Sequence, residues 1–106
     1  KKAVTESFPF DNKTLVFKVA GKMFALTGVD SFEYINLKCD PERAVELRET
    51  YNGVKPGYHM NKQLWNSVYI GQDLPDPLIY ELIDHSYELI VASLTKKVRI
   101  EHALGQ

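Results

Sequence analysis

A chain of 106 residues, 44% hydrophobic and 25% charged, is sized for one domain (1–106) with a single two-layer core and is too small for two. Its 13 basic and 14 acidic residues give a formal net charge of −1, which excludes polyanion binding through overall charge and makes any nucleic-acid contact depend on a local cluster. No apolar run approaches the roughly 18 residues of a membrane span, and the amino terminus lacks a signal-peptide pattern, so the expectation is a cytoplasmic protein with no membrane association.

Thr14–Val19 and Lys22–Thr27 are β-rich runs separated by Ala20-Gly21, which suits a two-residue hairpin because glycine tolerates positive φ. Alternation puts Leu15, Phe17, Phe24 and Leu26 on one face and Lys18, Met23 and Ala25 on the other. Glu33–Cys39 alternates likewise, with Ile35 and Leu37 inward and Tyr34, Asn36 and Lys38 outward. Cys39, the only cysteine, has no internal disulfide partner and is expected as a buried small hydrophobe. Asp40-Pro41 then starts a helix. Asp40 can accept the free amides of the first turn, and Pro41 has no amide hydrogen to leave unpaired there. Ala44, Val45, Leu47 and Tyr51 form its apolar side, and Asn52-Gly53 ends it.

The next stretch, Gly53 to Ile70, contains no acidic residue. It carries Lys55, Tyr58, His59, Asn61, Lys62, Gln63, Asn66 and the only tryptophan, Trp65. This mixture supplies charge for phosphates, flat rings for stacking, and amides for base edges. It equally suits a hairpin with core aromatics and solvated lysines. Gly57–Met60 and Asn66–Ile70 read as its strands, with Asn61–Trp65 as the turn. Leu74-Pro75-Asp76-Pro77 repeats the capping logic of Asp40-Pro41, and a helix follows to about Leu94, buried along Leu78, Ile79, Leu82, Ile83, Ser86, Leu89 and Ile90. Gly71–Leu94 contains five acids and no lysine or arginine, which predicts an acidic face apart from a basic one. Lys96, Lys97 and Arg99 would then complement the negative end of that helix's dipole. The elements assemble into an α+β fold: an antiparallel sheet of about five strands with helices packed on one face, the other face solvated, covered or used.

The runs FPFDNKTLVFKVAGKMFAL, NLKCDPERAVELRETY, GVKPGYHMNKQLWNSVYI and LIDHSYELIVASLTKKVR resemble the MmcQ/YjbR family of small bacterial proteins, from about Val4 to Arg99. The resemblance implies an α-β-β-β-α-β-β-α order with the CyaY-like architecture, and a DNA-binding role through a double wing of two hairpins. The first wing would lie near Lys18, Gly21 and Lys22, and the second near Lys55, His59, Asn61, Lys62 and Trp65. Lys55 and Lys62 would meet phosphates, Asn61 and Gln63 adenine edges, and Tyr58, His59 or Trp65 would stack or wedge. Family members carry a helix before the segment matching Val4–Phe8, and its absence from this sequence would expose core side chains and favour dimerisation. Ile100–Gln106 has no counterpart and is expected to fray.

A competing reading is a protein-interaction or self-association module using the open sheet face, with Tyr34, Met23 and Lys38 upon it. Catalysis is not expected, nor is a cofactor or metal. His59, His85 and His102 fall on different elements without ligand spacing, and Asp84-His85-Ser86 are consecutive helical residues that point in different directions. Glu81, Asp84 and Glu88 share one helix face, a spacing that suits solvated carboxylates better than a cation site.

Overall fold

The computed structural model describes residues 1–29 and 33–104. One antiparallel sheet holds six strands: β1 (Val4–Ser7), β2 (Thr14–Val19), β3 (Lys22–Gly28), β4 (Tyr34–Lys38), β5 (Val54–Pro56) and β6 (Trp65–Tyr69). Their spatial order is β1-β2-β3-β4-β6-β5. Helices α1 (Pro41–Thr50), α2 (Asp76–Ser93) and α3 (Lys96–Glu101) complete the chain. The α+β class is as expected, with one strand more. VTES is short and mostly polar and carries no strand signal of its own, yet Val4–Ser7 pairs with β2 from Val4↔Val19 to Ser7↔Val16.

The β2–β3 hairpin turns at Ala20-Gly21 with φ of 49° and 84°, the two positive values of a type I′ turn. Its facing differs from simple alternation. Phe17 pairs with Ala25 but Lys18 pairs with Met23, so Phe24 is an extra, bulged residue. Phe24 and Ala25 therefore both belong to the helix-side core, and Leu26 joins Met23 on the opposite face. The bulge also interrupts β3–β4 pairing, which ends at Ala25↔Leu37. The next two backbone groups are bridged by α2: the Ser86 hydroxyl donates to the Phe24 carbonyl (2.6 Å) and accepts from the Lys38 amide (2.9 Å).

The main core lies between the sheet and its helices and includes Val19, Phe24, Leu37, Val54, Val68, Leu82 and Ile90. Phe24 meets Tyr87 edge-on at 5.4 Å, a preferred aromatic geometry. Cys39 is buried, and burial pushes its thiol pKa up. Asp40 caps α1 by accepting from the Arg43 amide. At α2 the capping expectation fails: Pro75 is the N-cap without a side-chain bond, and Asp76 is already in the first turn. Its carboxylate there still favours the positive end of the dipole. Lys96, Lys97 and Arg99 do not trail α2 but form α3, capped by Thr95 accepting from the Val98 amide. Fraying is not seen through residue 104, since Leu104 packs on the main core and its amide donates to Arg99; 105 and 106 lie outside the described residues. Among the described residues no helix is long and apolar enough to cross a membrane.

Two bonds fix the turn between α1 and β5: Asp73 accepts from the Asn52 and Gly53 amides at 2.7 Å each. A side chain at Gly53 would meet Leu74 Cδ1 at 2.8 Å and Asp73 Oδ1 at 3.0 Å, so a larger residue would push on the aspartate that fixes the turn.

Replacing Ser86 with alanine orphans two buried backbone groups and should cost about 2–3 kcal/mol in urea unfolding, without changing the fold. A second expectation concerns acid. Desolvation raises the Asp73 pKa, but the Gly53 and Asn52 amides and Lys55 outweigh it, leaving the group below 3.8. A depressed carboxylate stabilises the fold above its unfolded pKa and loses that contribution as pH falls through its folded pKa. Asp73→Asn should therefore melt below the parent at pH 7, with the difference in Tm closing under acid conditions below about pH 4.

Candidate nucleic-acid interface

Strand register defines the face opposite the helices. It presents Thr14, Val16 and Lys18 from β2, Met23 and Leu26 from β3, and Tyr34, Asn36 and Lys38 from β4. β6 and β5 add Trp65, Ser67, Tyr69 and Lys55. Three lysines occupy these strand positions and no acid does. Acids are instead concentrated on the helices, where Glu81 pairs with Arg43 and Asp84 with Lys1. The two faces thus carry opposite charge despite the net value of −1.

The acid-free stretch is built differently from the expected hairpin. Its first strand is Val54–Pro56, not Gly57–Met60, and residues 57–64 form a loop. Pro56-Gly57 breaks the strand, and the loop folds back over the open face. Two polar side chains from neighbouring strands hold it there. Ser67 Oγ accepts from the Tyr58 amide (2.9 Å) and donates to Asn36 Oδ1, while Asn36 Nδ2 donates to the Tyr58 carbonyl (3.2 Å). Both backbone groups of Tyr58 are thereby satisfied by the sheet surface. Beneath the loop, Met60 and Leu64 pack with Met23 on the buried trio Val16, Leu26 and Trp65.

Further bonds stiffen the loop. Gly57 donates to the Trp65 carbonyl at 2.8 Å, and Cys39 donates to Leu64 at 2.8 Å. Asn61 Oδ1 accepts from the Gln63 and Leu64 amides, as a turn asparagine does. From the helix side, Arg48 of α1 donates to Asn66 Oδ1 (2.7 Å) and to the Lys62 carbonyl.

Each predicted site residue can now be placed. Lys22 is exposed beside the β2–β3 turn, and Lys18 and Lys55 stand on the open face. Tyr58 (56% exposed) and His59 are exposed on the loop. Gln63 is exposed. Asn61 commits its carbonyl oxygen to the loop's own turn. Lys62 is exposed, and its ammonium donates to the Gly57 carbonyl, which leaves two of its three protons free. Trp65 corrects the expectation: only 8% exposed, its ring belongs to the small core beneath the loop and has no face for stacking.

Both wings lie at one end of the sheet, because β2 and β5 run the same way and each leads into its turn there. Their hairpins are separated by three strand spacings, roughly 14 Å. On the open face, reaching from Met23 toward the end of the sheet away from the turns, where Thr14 and Tyr34 lie, is a concavity of about 300 Å³ lined also by Phe10, Tyr58, His59 and Met60, with Leu26 and Asn36 in its sheet wall. The Tyr34 ring meets Tyr58 nearly at right angles (88°, 6.2 Å) and Tyr69 at 5.2 Å. Tyr58 and His59 lie 4.0 Å apart. Desolvation, then the neighbouring Tyr69 and Tyr58, raise the Tyr34 pKa, so its phenol stays a neutral donor. His59 holds φ at 60°, an uncommon conformation that costs energy for a residue with a side chain.

Sequence reasoning had Tyr34, Met23 and Lys38 on this face but missed the roles of Asn36, Ser67, Met60 and Arg48. Those four act through residues distant in sequence and leave no local signal. Among the described residues there is no cluster of three or more metal-ligating side chains. His85 Nε2 accepts from the Asp40 amide at 3.3 Å, and Ser86 is committed to the sheet, so Asp84-His85-Ser86 makes no relay.

These features define a small open-faced α+β domain whose basic sheet face is capped by a pinned aromatic loop. The chain belongs to the YjbR family, whose model matches residues 1–89. It is 41% identical over 91 residues to the uncharacterised protein YbdF of Escherichia coli O157:H7, covering 85% of this chain and 75% of that one. To the uncharacterised protein YjbR of Escherichia coli strain K12 it is 36% identical over 100 residues, covering 93% and 85%. The crystal structure of Deinococcus radiodurans protein DR2400 superposes with a TM-score of 0.90 at 39% identity, covering 96% of this chain and 79% of that one.

The Asn36–Ser67 pair carries a direct expectation. Ser67→Ala removes the acceptor of the part-buried Tyr58 amide and one Asn36 partner, and should lower hydrogen-exchange protection at the Tyr58 amide about tenfold while leaving β2 and β3 amides protected. Equal loss throughout the sheet would show that the pair supports the whole fold and not the loop.

Proposed function

We propose that this protein binds DNA through its open sheet face, weakly and with strong salt dependence, in a binding role without catalysis. The supporting observation is charge placement: Lys18, Lys38 and Lys55 stand on a strand face free of acids, while the helix side carries the acids of α1 and α2. Lys22 at the first wing and Lys62 on the second lie at the same end of the sheet but off this face: Lys22 pairs with Val19 of the helix-side core, and Lys62 borders Arg48 of α1. Roughly 14 Å between the wings compares with a B-DNA major groove about 12 Å wide, so backbone contacts from both can reach one nucleic-acid segment. Lysines meeting phosphates give affinity and position but little sequence information.

The self-association reading of the same face has less to draw on, because Met60 and Leu64 already cover Val16, Leu26 and Trp65. A separate apolar groove of about 390 Å³, lined by Ile35, Ile70, Ile79, Tyr80 and Ile83, supports self-association better than the open face does.

In fluorescence anisotropy with a labelled oligonucleotide, Lys18→Ala and Lys55→Ala should each weaken binding of all sequences and reduce the slope of log K against log salt by about 1. Lys97→Ala on α3, away from this face, should leave both unchanged. Equal losses from all three would defeat the assignment of the interface.

A further inference from the structure

The concavity on the open face suggests which form of nucleic acid this face takes. A base inside a duplex shows neither ring face, whereas an unpaired base shows both. Tyr34 and Tyr58 present planes at nearly a right angle, so a planar heterocycle can stack on one ring while the other closes its edge. Met23 and Met60, also in the lining, supply polarisable, adaptable contact. The volume of about 300 Å³ is at the small end of ligand pockets and suits one or two rings better than a peptide segment.

Three further observations bear on the occupant. The aromatic site is braced: both backbone groups of Tyr58 are hydrogen-bonded to the sheet, which lowers the cost of ordering the loop for stacking. The next residue, His59, is exposed and lines the concavity beside the Tyr58 ring. Lys18 and Lys38 flank Met23 and Asn36 on the same face, so a strand whose base enters the concavity has cations near its phosphates.

We infer that the concavity formed by Tyr34, Tyr58, His59, Met23 and Met60 is a stacking site for an unpaired base, so that the DNA bound by this face is single-stranded or locally opened. The inference rests on the DNA-binding reading above and adds to it the form of the nucleic acid. Tyr58 supplies the exposed stacking ring. Asn36 holds that ring's backbone in place and is a positioning residue. Selectivity among bases is modest, because every base has a π face.

The test is anisotropy of a labelled 12-nucleotide thymidine strand and of a duplex of equal length, at low and near-physiological salt, for the parent, Tyr58→Ala, Tyr58→Phe and Lys55→Ala. The Tyr58 backbone carries the loop's anchor, so truncating its ring leaves the fold in place, which circular dichroism checks. The expected result is tighter binding of the single strand than the duplex, a loss of roughly tenfold or more for the strand in Tyr58→Ala, and recovery in Tyr58→Phe. Lys55→Ala should weaken both forms together. Duplex preference, or an unchanged strand affinity in Tyr58→Ala while Lys55→Ala still weakens binding, overturns the stacking site and leaves DNA binding standing. No binding of either form overturns both. Competition by thymidine monophosphate at equal nucleotide concentration as effective as that of the strand would assign the concavity to a free nucleotide and overturn the inference as well.

Discussion

The bulge at Phe24 and the hydroxyl that answers it organise this fold. An extra residue in β3 places two consecutive side chains, Phe24 and Ala25, on the helix side. It leaves a backbone carbonyl and an amide without strand partners, and Ser86 of α2 satisfies both from a fully buried position. A helix is thus bonded into the interior of a sheet, which fixes its axial position as apolar packing alone does not. The same bulge turns Leu26 toward the open face, where it becomes part of the floor beneath the 57–64 loop. The seat of the helix and the base of the candidate site are therefore two results of one inserted residue.

The open face is organised by a second polar device with a different purpose. Asn36 and Ser67 sit opposite each other on adjacent strands, buried at 6% and 0% exposure, and use their side chains to receive both backbone groups of one residue of an irregular segment. Buried polar groups of this kind are favourable only when every partner is present, and here the loop supplies what the pair lacks. Arg48 reaches the loop from the helix side, so the segment is held from both layers. The aromatic residues it carries are consequently held in place, although the segment itself has no regular structure.

Much of the architecture was legible, and the reasons are local. Ala20-Gly21 between β-rich runs and Asp40-Pro41 before an apolar helix are short signals that act where they stand. The helical stripe of α2 and the alternation of β4 are periodic and equally direct. The bulge was invisible because Met23, Phe24, Ala25 and Leu26 are all apolar, and a shift in alternation leaves no mark in such a run. β1 was missed because a four-residue polar edge strand takes its stability from its neighbour. Trp65 and the 57–60 segment misled for a related reason. An indole suits a core as well as a stacking site, and the bonds that bend 57–64 over the sheet come from residues 36 and 48, far away in sequence, and from Ser67 on the next strand.

The two margins of the sheet bear on how molecules of this chain can meet. β1 contributes only four residues, mostly polar, and β5 only three, among them an exposed lysine and a proline without an amide hydrogen. Short, charged or proline-bearing margins are poor templates for adding another strand. With one sheet face free of helices among the described residues, such margins disfavour lateral polymerisation into a continuous ribbon. Contacts between copies are left to faces and grooves, where shape and charge select the partner, and not to the indiscriminate pairing of backbone groups.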